Sequence, residues 1–326
     1  MRVRASALCG SDLHTLAGRR PSALPVVLGH ETCGEVVELG DGGAVDVAGR
    51  ALAVGDRVVW ALVASCGECR ACRAGLPQKC EHGVKFGHAR QAPDEPPAGG
   101  FAERVLLGPR TGFVAVPAGV DDAHAAIASC AVATAVAACR AAGPLADRQV
   151  LVHGAGLLGI AVIERARELG AAVVDVCERK SRRHALARRH GAWRVFADPA
   201  ESACHEPGGG YDVAFECTGD PDAIAAQHRL LSTGGTQILL GSVFPTPPFA
   251  TAPEQIVRRM LTIRGLHNYT LSDLADAIAW LAAQPGRFAD CFGRWYALEE
   301  FARAADAAAI GDDLRVLVRP NEGGMQ

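Results

Sequence analysis

Cys66-G-E-Cys69-R-A-Cys72-R-A-G-L-P-Q-K-Cys80 carries four thiols separated by two, two and seven residues. Gaps this short let neighbouring thiolates turn toward one point, and four sulfurs around one ion make a structural zinc site. The stretch is otherwise polar and rich in Gly and Arg, so it has no hydrophobic core of its own and folds only around a metal. An iron–sulfur run has a shorter last gap and a proline after its final cysteine, whereas Glu81 follows Cys80. A disulfide knot suits a small secreted chain; this one has 326 residues and no signal-peptide pattern.

The second chemical element is Gly154-A-G-L-L-Gly159. It follows the apolar run Gln149-V-L-V-His153 and opens a helical pattern from Leu157 to Leu169, the setting in which G-x-G-x-x-G binds a dinucleotide. Gly154, Gly156 and Gly159 permit a tight turn and close backbone approach, and Leu157 and Leu158 begin the helix whose N-terminus receives a pyrophosphate. Glu178 stands 19 residues beyond Gly159 at the end of the next strand, where a carboxylate accepts from both ribose hydroxyls and repels a 2′-phosphate. NAD is favoured. Arg179 and Arg183 keep NADP open, their ordinary role being a solvated helix face. Asp175, in mid-strand, reads as a paired acid.

The elements that must position these residues fall into two patterns. Met1 to Leu8, Pro25 to Gly40, Gly55 to Trp60 and Gly100 to Leu107 read as strands of a small barrel, with a surface loop at 89–99 and an Ala-rich helix from Asp121 to Ala142. From Gln149 strand and helix alternate. Val173–Cys177, Arg194–Ala197, Tyr211–Cys217, Thr236–Leu240 and Leu261–Arg264 are strands, with helices at Arg182–Arg189 and Pro221–Leu231. That alternation implies right-handed crossovers and a doubly wound parallel sheet. Leu271 to Ala283 is an amphipathic helix, and Arg315 to Val318 is a strand with no partner in the parallel sheet. The expected fold is α/β, with a Rossmann domain at 132–267 and a second domain of residues 1–131 and 268–326 that includes the tail.

Cys9 in C-G-S-D-L-H, His30 in G-H-E and Cys130 in S-C-A-V-A-T are too far apart for spacing to join them. Together with Gly55-D-R-V, the cysteine lobe and the Gly154-to-Glu178 fingerprint, however, they occur in one order. In these motifs nearly the whole chain resembles the zinc-dependent medium-chain alcohol dehydrogenases. The resemblance implies a GroES-like β-barrel catalytic domain, a catalytic zinc on Cys9, His30 and Cys130 besides the structural zinc, and Glu31 beside the metal; alcohol dehydrogenase is itself the standard example of a Cys₂His catalytic zinc. It further implies that Asp12 orients a zinc-bound histidine, that Ser11 and His14 relay the alcohol proton to solvent, and that Thr134, Thr218 and Gly241 join the cofactor site. Zinc with an open position lowers the pKa of an alcohol oxygen, and hydride then passes to the nicotinamide. Cys33, Cys139, Cys177, Cys204, Cys217 and Cys291 read as packed thiols.

Only eight residues precede Cys9, where the family carries about two further strands. Either the start lies downstream or the barrel lacks its opening strands, which leaves an edge to be paired or covered. Within the family, Cys9-G-S-D-L-H-T-L-A-G-R-Arg20, Ala74-G-L-P-Q-K-Cys80 and Gly265-L-H-N-Tyr269 most resemble alcohol dehydrogenases associated with phosphonate metabolism. Adjacent Arg19 and Arg20, in a loop that borders the family's substrate pocket, suit an anionic head group; solvated loop arginines are the alternative.

The bulk numbers fit an ordinary enzyme. Net charge is −3, with 49% apolar and 21% charged residues, the balance of an ordinary globular protein with no preference for nucleic acid or membrane. A small-molecule alcohol or aldehyde as partner is what the resemblance implies. No apolar run is expected to reach membrane-spanning length uninterrupted. Twelve cysteines without a targeting segment suit metal ligands in the reducing cytoplasm. A homo-oligomer, dimer or tetramer, is expected by resemblance. A polyol or amino-alcohol dehydrogenase, or a non-catalytic relative keeping only the structural zinc, are the other classes.

Overall fold

The computed structural model describes residues 1–92, 94–203 and 209–320, so Cys204 lies outside the described residues. The chain divides into two compact units, Met1–Ala133 with Asn268–Gln326, and Thr134–His267.

The first unit begins with β1 (Arg2–Leu8), whose Val3, Ala5 and Ala7 are wholly buried, as the alternating pattern requires. A helical turn, α1 (Gly10–Leu16), follows at once; the Asp12 carboxylate accepts from the Cys9 amide at 3.0 Å and so fixes the start of the helix. β2 (Glu31–Glu35), β3 (Arg57–Trp60) and β4 (Phe113–Ala115) extend the sheet antiparallel. Val36, Leu52, Val58, Trp60, Phe86 and Phe113 pack as one apolar cluster over it. The expected strand at Gly100–Leu107 is absent. That segment meets β1 through one bridge, Arg2 to Arg104, at the end of β1 away from Ser6–Leu8, which the tail strand pairs.

The Ala-rich stretch is helical but not uniform. α2 (Asp122–Ile127), capped by Asp121 accepting from the His124 amide, widens into a π turn at Ala128–Val132 before α3 (Ala133–Ala142). A π turn holds an extra residue and redirects the side chains it carries; here it carries Cys130. The run Asp122–Ala142 also corrects one expectation, since by length and composition it could span a membrane. With 78% of its most apolar window buried, it is instead a core helix.

The second unit is a six-stranded sheet, parallel throughout. β5 (Gln149–His153), β6 (Val173–Cys177), β7 (Arg194–Phe196), β8 (Tyr211–Glu216), β9 (Leu231–Leu239) and β10 (Thr262–Gly265) lie in the order β10-β9-β8-β5-β6-β7. Chain order reverses between β5 and β8, the switch point at which such sheets bind ligands. β5 is apolar because both faces are covered: Val150, Leu151 and Val152 are fully buried, as are Ile160 and Ile163 of α4 (Leu157–Glu168). The doubly wound α/β class is as expected.

His153 ends β5, and burial lowers its pKa from 6.5 to about 4. Below pH 6.5 the unfolded chain therefore takes up a proton that the folded chain refuses until about pH 4, and stability falls across that window. A shift of this size corresponds to about 3 kcal/mol. His153→Leu should lose less stability than the parent between pH 7.5 and 4.5, read from urea midpoints; equal losses would show that His153 does not titrate in this way.

Two later strands return to the first sheet. β11 (Phe292–Ala297), which sequence pattern did not reveal, pairs parallel with β12 (Arg315–Arg319), and β12 pairs antiparallel with β1 through Ser6–Val318, Ala7–Leu317 and Leu8–Val316. The sheet order is thus β11-β12-β1-β2-β3-β4, and β1 is an interior strand, paired with β12 at Ser6–Leu8 and with β2 along Arg2–Ala7.

Candidate metal centres and dinucleotide site

In the lobe, the sulfurs of Cys66, Cys69, Cys72 and Cys80 all lie within 4.8 Å of one another. Separations of 3.5 Å (Cys80–Cys66), 3.9 Å (Cys69–Cys80) and 4.0 Å (Cys66–Cys72) bracket the spacing of about 3.8 Å that a tetrahedron of 2.3 Å zinc–sulfur bonds requires. Backbone amides already point at the sulfurs: Cys69 donates to Cys66 at 3.3 Å and Cys66 to Cys80 at 3.2 Å. Such bonds favour thiolate, and backbone amides lower the Cys69 pKa to about 6. The lobe fits a structural zinc.

A second cluster assembles from three distant segments. Ligand atoms of Cys9, His30, Glu31 and Cys130 lie within 4.8 Å of one another. Cys9 stands at the end of β1, His30 immediately before β2, and Cys130 on the π turn. Ser129 ties the last two together: its hydroxyl lies 3.0 Å from the Thr32 amide and 3.2 Å from the His30 carbonyl, and the Tyr269 hydroxyl donates to the Ser129 carbonyl. Asp12, fully buried, sits 3.3 Å from His30 Nδ1. Its negative charge favours the tautomer that keeps the proton on Nδ1 and leaves Nε2 free to bind a metal. Ser11 Oγ lies 3.2 Å from that Nε2.

Charge makes the same case for a cation. Burial would lower the His30 pKa, but Asp12 and Cys9 outweigh it and raise it to about 10. The Cys9 thiol is pulled well below its usual range by its bond to Cys130, against burial and with help from Arg315. The Glu31 carboxylate is pushed up to about 7 by burial, although Arg315 grips it at 2.6 and 2.7 Å. Two thiols and a carboxylate thus crowd together against one guanidinium. A dication bound by Cys9, His30 and Cys130 balances them, so this donor set fits a zinc.

In the second unit, the glycine fingerprint joins β5 to α4. A Cβ on Gly154 would sit 2.7 Å from Thr218 Cγ2, and one on Gly159 only 1.8 Å from the Gly154 carbonyl oxygen, so strand, turn and helix pack this closely only with glycine. Leu157 and Leu158 open the helix behind Gly156, its N-cap. Glu178 is buried at the end of β6, accepting from the Ala155 amide at 2.8 Å and the Lys180 amide at 2.8 Å. Arg183 lies 3.7 Å from Glu178, while Arg179 is largely exposed and paired with Asp220 at 3.1 Å. Thr218 and Gly219 form a turn beyond β8, and Gly241 packs so tightly on it that a Cβ there would lie 2.2 Å from the Gly219 nitrogen. Thr134 lies in the first turn of α3 and is buried. Asp175 is a paired acid, bound to Arg194 at 2.5 Å and to the Tyr211 hydroxyl at 2.8 Å.

Family comparison agrees with both halves. The family model for the alcohol dehydrogenase GroES-like domain matches residues 1–118, and that for zinc-binding dehydrogenase matches residues 158–283. An L-threonine 3-dehydrogenase from Paraburkholderia xenovorans is 32% identical, over 82% of this chain and 76% of the relative, and one from Coxiella burnetii is 29% identical, over 98% and 90%. An alcohol dehydrogenase structure from Thermotoga maritima superposes with a TM-score of 0.92 at 28% identity, covering 98% of this chain and 91% of that one. A zinc-binding dehydrogenase structure from Sinorhizobium meliloti, bound to NADP, gives 0.85 at 30% identity with the same coverage. The chain belongs to the zinc-dependent medium-chain alcohol dehydrogenase family. It is a zinc-dependent dehydrogenase acting on a small molecule with a nicotinamide cofactor, on the expected GroES-like and Rossmann folds.

Sequence reasoning missed two residues that this dehydrogenase sets against its sites. Arg315 reaches Glu31 and also places NH2 3.6 Å from Cys9 Sγ; an arginine at the start of an otherwise apolar tail strand was the available sign. Glu216, wholly buried at the end of β8, accepts from the Thr218 amide and hydroxyl at 2.5 Å each and from the Gly219 amide at 2.8 Å. An acid just before Cys-Thr-Gly could have marked that turn. Two sequence-selected arginines divide: Arg19 is exposed and donates to His14 Nδ1 at 3.0 Å, while Arg20 reaches inward to His88.

Proposed function

We propose that this dehydrogenase interconverts a small alcohol and its carbonyl compound at the Cys9–His30–Cys130 centre, with NAD as the preferred cofactor. The convergence of these ligand atoms with Glu31 within 4.8 Å, assembled from three segments spread between Cys9 and Cys130, carries the reading. When bound, zinc supplies Lewis acidity and NAD a hydride acceptor. Cys9, His30 and Cys130 hold the metal, and Asp12 keeps the imidazole in one tautomer. Arg315 restrains the Glu31 carboxylate beside them. Ser11 Oγ, 3.2 Å from His30 Nε2, is the hydroxyl placed to receive the substrate proton, and His14 is the base that passes it on. Glu178 supports NAD over NADP, because a buried carboxylate at the end of β6 repels a 2′-phosphate.

An amino-alcohol substrate is the second reading, favoured by relatives named L-threonine 3-dehydrogenase. The test is a panel of neutral, amino and anionic alcohols with NAD and NADP, following nicotinamide absorbance, beside zinc counting by elemental analysis. Two zincs per chain and NAD-linked turnover are expected. One zinc and no turnover on the panel would overturn the reading.

A further inference from the structure

Lys85 and His88 belong to neither metal site, yet the fold holds them close to one. Gly87 makes this possible: it has φ +73°, and a Cβ on it would lie 2.7 Å from the Gly29 carbonyl oxygen. The two glycines therefore pass at backbone contact, and the residues that follow them, His88 and His30, meet with ring centroids 4.7 Å apart. Arg20 comes in from the end of the α1 loop and places NH1 3.0 Å from His88 Nδ1. Lys85 sits two residues before Gly87 on a short ladder with Val63–Ala64, its ammonium 3.3 Å from the Asn268 amide oxygen and within electrostatic reach of Arg20 and of the Cys130 sulfur.

The polar partners of this cluster are neutral. Arg20 donates to an imidazole and Lys85 to an amide, so hydrogen bonds are made but charge is not cancelled. Among the described residues no carboxylate pairs with either. The carboxylate of the metal cluster, Glu31, is gripped by Arg315, and the Cys9 and Cys130 thiols are the ligands that a metal there would take. Two half-buried cations within electrostatic reach of one another and without a carboxylate partner are costly, and the cost is removed by an anion that binds both. Burial and the neighbouring Arg20 lower the Lys85 pKa to about 8, and the side chain is still mostly protonated at pH 7.

We propose that Arg20, Lys85 and His88 form an anion subsite beside the Cys9–His30–Cys130 centre, which binds the carboxylate or phosphonate end of a small alcohol or carbonyl substrate. This rests on the dehydrogenase reading of that centre and narrows its substrate class. A metal on Cys9, His30 and Cys130 would supply one point of attachment, the Arg20 guanidinium and Lys85 ammonium hold the anionic end, and fixing two points orients the reacting carbon. Arg19 has no part in it, being turned to His14. An amino-alcohol without an acid group fits poorly, because its ammonium would face Arg20 and Lys85, whereas a hydroxy-amino acid brings a carboxylate to them.

The test uses the full zinc-loaded chain, its Lys85→Met and Arg20→Gln variants, and two readouts. The first is the ratio of kcat/KM for hydroxyethylphosphonate, or for 3-hydroxypropanoate, to that for neutral 1,3-propanediol. The parent ratio should exceed ten and fall tenfold to a hundredfold in each variant, the loss expected for a charge-assisted contact. The better of the two anions names the head group. The second is calorimetric titration of inorganic phosphate without cofactor: the parent should bind it and Lys85→Met should bind at least tenfold more weakly. Ratios unchanged by both substitutions, or phosphate binding that is absent or equal in parent and variant, would overturn the subsite. Failure of turnover on every alcohol would instead overturn the dehydrogenase reading, and phosphate titration would still decide the subsite.

Discussion

Replacing Cys9 by serine should abolish turnover, by about a thousandfold or more, while leaving a folded chain with one zinc. The size follows from the several kcal/mol of transition-state stabilisation that a catalytic metal supplies, at 1.36 kcal/mol per tenfold. The fold should survive because β1, which delivers Cys9, is held by β12 and β2 and by wholly buried Val3, Ala5 and Ala7, not by the metal. Cys69→Ser should behave in the opposite way. The lobe contributes few apolar side chains, and a loss of several kcal/mol there should lower the thermal midpoint by roughly ten degrees, at about 2–4 °C per kcal/mol. Elemental analysis and thermal melts of the two variants separate the roles. Two zincs in the Cys9→Ser protein would refute the assignment of the catalytic centre.

The second large effect concerns the cofactor. Glu178→Ala should lower kcat/KM for NAD by about tenfold to a hundredfold, the range for losing charge-assisted hydrogen bonds to the ribose. NADP should lose less, because removing the carboxylate also removes its repulsion of a 2′-phosphate, beside the Arg183 guanidinium 3.7 Å away. NADP should not rise to the parent's NAD level. Glu178 also anchors the Ala155 amide inside the glycine turn at 2.8 Å, a contact that any dinucleotide needs. Steady-state kinetics with both cofactors on parent and variant check this, and equal use of both by the parent would show that Glu178 does not select.

What the sequence by itself determined is local. The lobe was legible because Cys66 to Cys80 lie within one short segment, so that spacing already limits geometry. The dinucleotide turn was legible for the same reason: Gly154, Gly159 and Glu178 are placed by one strand, one helix and the next strand. Asp12 could be read beside Cys9 because a single helical turn joins them. Cys9, His30 and Cys130, by contrast, were joined in advance only by resemblance to a family, since no local pattern relates residues so far apart.

Tertiary structure alone decided the rest. The grip of Arg315 on Glu31 spans 284 residues and exists because the tail strand enters the first sheet beside β1, a pairing that strand periodicity does not encode. The same pairing turned an expected open edge into the interior of a sheet. The π turn that carries Cys130 was hidden inside a stretch that reads as uniform helix, because one extra residue in a turn leaves no mark on composition. Lys85 and His88 gave no sign of chemistry in the sequence. They acquired one when Gly87 packed on Gly29 and brought them against Arg20 and His30, because the charge balance of a site depends on which side chains share a space, and packing alone decides that.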